Sequence, residues 1–298
     1  MTKVRAVGRA QAWIHAARIP TLAAAFVPVA VGSALAARDG AFRLAPALAA
    51  LWGALFIQIG TNLVNDLGDF RRGADAGPRF GPPRALAMGW LTVREVRAGI
   101  LVSFGLAALA GIFLAREAGP VVIAIGIASI LAGVAYTAGP WPLAYHGWGE
   151  LFVFLFFGVV AVCGTYYVET RSWSLDAFLA SIPVGSLATA ILVVNNVRDL
   201  EGDRDAGKRT LAVRMGRRAA RAGYLLLLAA AYLTPLALLL TGRAAAWALL
   251  PVLTLPLALR ESRRVTREQG APLNAALFGT AKLHVLFGLL FAAGLALA

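Results

Sequence analysis

The chain has 298 residues, 59% of them hydrophobic and only 14% charged, whereas soluble globular domains carry about 25% charge. This excludes a soluble globular enzyme and any disordered or fibrous chain. Lys and Arg number 28 against 15 Asp and Glu, a net charge of +13, but the hydropathy sets this excess apart from that of a nucleic-acid binder. The single cysteine, Cys163, excludes a disulfide framework and a multi-cysteine metal site, and its apolar surroundings mark an inert thiol.

A membrane-crossing helix needs roughly 20 apolar residues. The uncharged intervals of about that length are 19–37, 44–65, 98–115, 118 to about 138, 151–168, 177–197, 222–242, 244–259 and 271–298, the last broken only by Lys282. Nine spans are therefore predicted, an all-α polytopic membrane fold. The eighth is short and contains Pro251 and Pro256, residues tolerated where neighbouring helices repair the backbone. The basic opening, residues 1–18, leads into a full-length anchor rather than a short cleavable signal, so the first span is expected to stay in the protein. Sorting by alternate sides puts 22 of the 28 Lys and Arg on one face and five on the other, with Lys282 inside the last span. The richer face carries the N-terminus and should be cytoplasmic, with the C-terminus outside. Much of the charge thus serves orientation, and Arg260, Arg263, Arg264 and Arg267 need no other role.

Seven of the 15 acidic residues fall in two clusters on that face: Asp66, Asp69 and Asp75 after the second span, and Asp199, Glu201, Asp203 and Asp205 after the sixth. Carboxylates contribute little to orientation and cost about 2.5–3.5 kcal/mol each if drawn to the bilayer centre, so something must compensate them. Asn62, Asn65, Asp66 and Asp69 stand at i, i+3, i+4 and i+7, which makes one polar stripe at a helix end. Asn196, Asp199 and Asp203 repeat i, i+3 and i+7. The two segments look like halves of an internal repeat, about 19–138 and 151–259, within a single domain 1–298 whose last helix is 271–298. Facing stripes of hard oxygen ligands suit Mg²⁺, whose remaining positions are filled by water and substrate phosphate. Imidazole and thiolate metals fit poorly, because His15, His146 and His284 are scattered. Arg71, Arg72, Arg79 and Arg84 follow the first cluster, and Arg198, Arg204, Lys208 and Arg209 surround the second. Singly these are ordinary partners in a solvated loop; together with carboxylates and a divalent cation they are what a diphosphate needs.

With those motifs in view, the chain resembles the UbiA-type intramembrane aromatic prenyltransferases, and within them the branch that prenylates 1,4-dihydroxy-2-naphthoate for menaquinone synthesis. The likeness runs through most of the chain. It rests on Ala17-Arg18-Ile19-Pro20-Thr21-Leu22, Gln58-Ile59-Gly60-Thr61-Asn62-Leu63-Val64-Asn65-Asp66, Asp69-Phe70-Arg71-Arg72-Gly73-Ala74-Asp75, Arg79-Phe80-Gly81-Pro82-Pro83-Arg84 and Tyr136-Thr137-Ala138-Gly139-Pro140-Trp141-Pro142-Leu143. Gly149-Glu150-Leu151-Phe152, Gly164-Thr165-Tyr166-Tyr167 and Asp199-Leu200-Glu201-Gly202-Asp203-Arg204-Asp205-Ala206-Gly207-Lys208-Arg209-Thr210-Leu211 complete it. Gly73 stands where the broader family has the last Asp of its first motif, and Asp75 two residues on resembles the naphthoate branch. Either Asp66 or Asp75 then completes the metal set. Leu67 and Gly68 replace aromatic residues common in that branch, so local packing should differ.

The resemblance implies helices around a central cavity, open to the cytoplasm at the two motifs and sideways to membrane lipid for an isoprenoid tail. It implies Mg²⁺, two ions, held on a polyprenyl diphosphate by Asn65, Asp66 or Asp75, Asp69, Asp199 and Asp203. Lys208, Arg72 and Arg209 would touch phosphate oxygens, with Asn62 and Asn196 beside them. Tyr136, with Tyr166, Tyr167 and Trp141 behind it, would face the allylic cation. Arg79 and Arg84 would hold the carboxylate of the naphthoate, which is lost as CO₂. His146 and Lys282 receive no role. Two alternatives stand beside this reading: a prenyltransferase for another acceptor, such as 4-hydroxybenzoate or homogentisate, and a cation or organic-anion transporter. The second is disfavoured because the acids lie at helix ends rather than mid-bilayer.

Overall fold

A computed structural model describes residues 7–73, 80–81 and 83–297. All regular secondary structure among them is helical. The basic N-terminal segment, given no element from sequence, forms α1 (Arg9–Ala17). It ends at Arg18, whose φ of 52° is left-handed, and a 3₁₀ turn over Ile19–Leu22 follows, with Pro20 at its start. Proline's fixed φ and missing N–H suit such an opening. The chain then runs through α2 (Ala23–Arg38), α3 (Leu44–Arg71), α4 (Val93–Ala118) and α5 (Val121–Thr137). Thr92 and Glu95 cap α4 reciprocally: the Glu95 amide donates to Thr92 Oγ1 and the Thr92 amide to Glu95 Oε2.

The fifth span is three pieces in one rod: α6 (Gly149–Val153), a π-helical stretch over Phe154–Val160, and α7 (Ala161–Thr170). After it come α8 (Leu175–Arg198), the short α9 (Leu200–Asp205), α10 (Leu211–Leu240), a 3₁₀ run over Ala246–Thr254, α11 (Leu255–Arg267) and α12 (Leu273–Ala296). Gly216, at φ 83°, kinks α10 near its start.

Seven of the described helical rods are long and apolar enough to cross a membrane, so this is a multi-pass membrane protein. Two of the nine expected spans fall outside those seven. The fourth is the 17-residue α5, and the eighth carries Pro251 inside its 3₁₀ half before α11 continues to Arg267, since a proline that lacks an amide proton spoils an α-helical ladder.

The principal pairings are α3 with α4, α8 with α10, and α2 with α12. The largest buried cluster joins α2, α8, α10 and α12 through Val31, Leu187, Tyr224, Leu228, Leu283 and Phe287. Small residues let rods meet closely, as membrane interfaces require. A Cβ on Gly158 would lie 2.7 Å from the Cα of Gly185, so the π segment and α8 touch backbone to backbone. At the end of the bundle that carries Arg38 and Arg43, arginines on the charge-poor face are built into the fold. Arg43 Nη1 donates to Glu117 and its Nε to the Glu169 carbonyl, while Ser33 donates to the Glu169 carboxylate. Arg38 and Arg243 share Asp176.

Substituting Gly158→Val overpacks the Gly158–Gly185 contact and should destabilise the fold by about 1–3 kcal/mol. The expected result is a lowered thermal transition of the detergent-solubilised protein.

Candidate functional site

A cavity of about 720 Å³ runs between α3, α4, α5, the α6–α7 rod and α8. One end is polar. Asn62, Asn65, Asp66 and Asp69, the last turns of α3, all line it, as do Asn196, Asp199 and Asp203 from the end of α8 and from α9. Helical spacing therefore brings both stripes to one space, four residues from each of two separate helix ends once Asn195 is counted. Away from them the walls are apolar or small: Ala50, Gly53, Ala54, Ala107, Leu114, Val122, Ile125, Phe156 and Phe157.

Each carboxylate is compensated. Asp69 Oδ2 accepts from Arg84 Nη2 at 2.7 Å and Oδ1 from the Tyr145 hydroxyl at 2.9 Å. Arg84 Nη1 also lies 3.9 Å from Asp66 Oδ1, and the Leu86 amide donates to Asp66 Oδ2. Arg198, 1% exposed, donates to both oxygens of Asp199 at 2.8 and 2.5 Å, and also to Asn195 and Asn274. The Asn274 amide in turn donates to the Phe80 carbonyl, which ties the loop after α3 to the start of α12. Lys208 Nζ stands 3.6 Å from Asp203 Oδ1. Charge-assisted pairs of this kind are what let carboxylates sit at the end of an apolar cavity.

Tyr145 joins the two halves. It lies in a 3₁₀ turn, Leu143–His146, held by the Arg209 amide donating to its carbonyl. The Arg72 guanidinium and the Lys208 ammonium stand 5.2 and 5.4 Å from its ring centre, within cation–π range. Burial, then the charge and hydrogen bond of Asp69, raise its hydroxyl well above the ordinary tyrosine range, so it remains a donor. The uncharged loop gave no sequence signal for it; only its neighbours in space do.

The other expected site residues are distributed as follows. Tyr136, Arg84 and Lys208 line the cavity. Asn62 spends its amide on the Ala17 carbonyl and Thr21, and Asn65 accepts from Thr137 at 2.6 Å. Arg72 is turned away from the cavity: it donates to the Thr137 and Gly139 carbonyls and clamps the end of α5. Arg209 is exposed and does not line the cavity, and its backbone rather than its side chain makes the link. Tyr166 is a correction. It is buried in the main core, outside the cavity lining, and its hydroxyl donates to Asp39 at 2.7 Å at the opposite end of the bundle. The Tyr166-Tyr167 pair marked a helix that does line the cavity, through Gly164, Thr165 and Val168, but the phenol lies on another face of it. Asp75 and Arg79 lie outside the described residues. Gly68 has a local reason: a Cβ there would lie 2.9 Å from the Thr137 carbonyl oxygen, so α5 closes on α3 where a larger residue would hold them apart.

The donors facing the cavity are carboxylates, amides and hydroxyls, with His15 the one imidazole among the described lining residues. That set suits a hard divalent cation, and a lone imidazole with no thiolate is a poor site for a zinc-type metal. Among the described residues no three acidic or imidazole groups already converge on one point. A cation here would be completed by ligands from outside the chain, as expected of one that arrives with a phosphate substrate.

Comparison with known proteins places this geometry. The UbiA prenyltransferase family matches residues 25–287, and the chain belongs to that family. It is 35% identical to the 1,4-dihydroxy-2-naphthoate octaprenyltransferase of Escherichia coli (strain K12), covering 97% of this chain and 96% of that one. It is 39% identical to the octaprenyltransferase of the same name from Mycobacterium tuberculosis, covering 87% of each. Its fold is similar to that of a UbiA homolog from Archaeoglobus fulgidus bound to DMAPP and Mg²⁺, with a TM-score of 0.68 at 17% identity over 96% of this chain and 99% of that one.

The raised Tyr145 hydroxyl sets an alkaline limb. An unfolded tyrosine releases its proton near pH 10 while the folded one keeps it, so this stabilisation is complete below about pH 10 and is lost as the pH rises further. Thermal stability should therefore fall more steeply above pH 10 in the wild type than in Tyr145→Phe, and parallel curves would refute the assignment.

Proposed function

We propose that this enzyme transfers a polyprenyl group from an allylic polyprenyl diphosphate to 1,4-dihydroxy-2-naphthoate, releasing diphosphate and CO₂ and giving a demethylmenaquinone in its reduced, quinol form. One observation carries the reading: two acidic helix ends meet at the mouth of a long apolar cavity, in a chain similar over nearly its whole length to naphthoate octaprenyltransferases. The charged end suits a diphosphate and the apolar walls suit its tail.

Asn65, Asp69, Asp199 and Asp203, with Asp66 or Asp75, would hold Mg²⁺, in two ions. When bound, Mg²⁺ supplies positive charge for the diphosphate oxygens as the leaving group departs. Arg84 and Lys208, already at the carboxylates, provide fixed positive charge beside them, and the preorganised cations lower the barrier because they need not reorient. Tyr136 offers its ring to the allylic carbon, a contribution of about 0.5–2 kcal/mol. The apolar walls keep water from that carbon until the ring of the acceptor attacks. Arg79 is retained as a candidate for the acceptor carboxylate. The location that follows is the cytoplasmic membrane, with the N-terminus and both acidic motifs on the cytoplasmic side and the C-terminus outside.

Purified protein given Mg²⁺, a polyprenyl diphosphate and 1,4-dihydroxy-2-naphthoate should release diphosphate and CO₂ in equal amounts. Chelating the cation should stop turnover, and restoring it should recover it. Turnover with 4-hydroxybenzoate and none with the naphthoate would overturn the acceptor assignment. Asp69→Asn and Asp199→Asn should each lower kcat by at least about 100-fold, the scale of losing a principal electrostatic contact at the reacting centre, while circular dichroism stays unchanged.

A further inference from the structure

One carboxylate of the cavity belongs to neither acidic motif. Glu150, the second residue of α6, lines the same space. Its Oε1 accepts from Asn196 Nδ2 at 2.9 Å, and among the described residues Asn196 is the one side chain that donates a hydrogen bond to it. Lys208 is its charged neighbour. Gly149 precedes it for a steric reason: the Tyr136 hydroxyl lies 3.1 Å from where a Cβ would stand, so the phenol of α5 rests against the first turn of α6. Beyond Glu150 the wall becomes apolar at once, through Phe152, Val153, Phe156 and Phe157.

Glu150 therefore marks the boundary between the charged end and the apolar wall. If the diphosphate lies on the acidic motifs and the tail along the apolar wall, the bond that breaks must lie at that boundary. The acceptor ring must reach the same place. A hydroxylated ring entering an otherwise apolar region needs a partner for its hydroxyl, and a carboxylate oxygen is a strong acceptor for one.

We propose that Glu150 is the acceptor-recognition residue: its carboxylate takes a hydrogen bond from a hydroxyl of the aromatic acceptor and turns the ring so that the carbon bearing the carboxylate faces the allylic carbon. The inference rests on the function proposed above. In the step it serves, the ring carbon's electron pair forms the bond to the allylic carbon, and the pair of the broken carbon–oxygen bond leaves with diphosphate. The pair joining ring to carboxylate returns to the ring as CO₂ departs. The hydroxyl keeps its proton throughout, and its hydrogen bond to Glu150 strengthens electron donation from oxygen into the ring.

The test is steady-state kinetics of the full-length protein in detergent with Mg²⁺, a polyprenyl diphosphate and 1,4-dihydroxy-2-naphthoate or either of its mono-O-methyl ethers. Glu150→Ala should lower kcat/KM for the naphthoate on the order of 10- to 100-fold, the span of a hydrogen bond to a charged group, with KM for the diphosphate unchanged within twofold. Glu150→Gln, which can still accept from Asn196, should lose less. One ether should be poor with the wild type and suffer no further loss with Glu150→Ala, a coupling that a purely structural role would not produce. Losses that multiply for both ethers would overturn the proposal, as would a change under threefold with the naphthoate or a parallel loss of diphosphate affinity. If the wild type uses a different hydroxylated aromatic acid instead, the acceptor named above fails, and the same comparison with that acid and its ethers decides the role of Glu150.

Discussion

Neutralising four carboxylates at the end of an apolar cavity is the constraint around which this molecule is arranged. Asp66 and Asp69 are buried, and removal from water of even a paired ion carries a penalty that only close opposite charge and hydrogen bonds offset. Arg84 comes back from the loop after α3, Arg198 is the last residue of α8, and Lys208 follows α9. Compensation thus draws on segments that would otherwise be free to lie anywhere on the surface. Tyr145 stands between Arg72 and Lys208, so the loop after α5 is fixed by the same charges.

The opposite end is polar in another way. Arg43 pairs with Glu117 on α4 and donates to the Glu169 carbonyl on α7, and Arg38 pairs with Asp176 on α8. There the charges are satisfied internally. At the cavity end they are satisfied too, but by groups beside a space large enough for a substrate, so a phosphate can compete for the arginine and lysine, and a cation for the carboxylates. The two ends use one chemistry for opposite purposes, anchoring at one and exchange at the other.

Much of this was legible in the sequence because apolar length and charge spacing are strong one-dimensional signals. The uncharged intervals located the spans, and the i, i+3, i+4, i+7 spacing of Asn62, Asn65, Asp66 and Asp69 put four side chains of α3 into one lining. What stayed hidden depended on the third dimension. Tyr145 and Glu150 carry no distinctive spacing and acquire their roles from Asp69 and Asn196 across the site. Tyr166 erred the other way: an aromatic pair in a recognisable motif says nothing about how far along its helix the polar end lies, and the phenol belongs to the Asp39 end. Arg72 shows that a cation close to a carboxylate in sequence can still spend itself on backbone.

The π stretch over Phe154–Val160 has a bearing on how the two ends can differ. Such a turn holds about one residue more than an α-turn and shifts the angular phase of everything after it. Glu150 and Phe152 before the turn, and Phe156 and Phe157 within it, line the cavity; after it Gly164, Thr165 and Val168 still do, while Tyr166 and Glu169 join the anchoring network. Beyond the widened turn a single helix therefore serves the cavity on one face and the anchoring network on another.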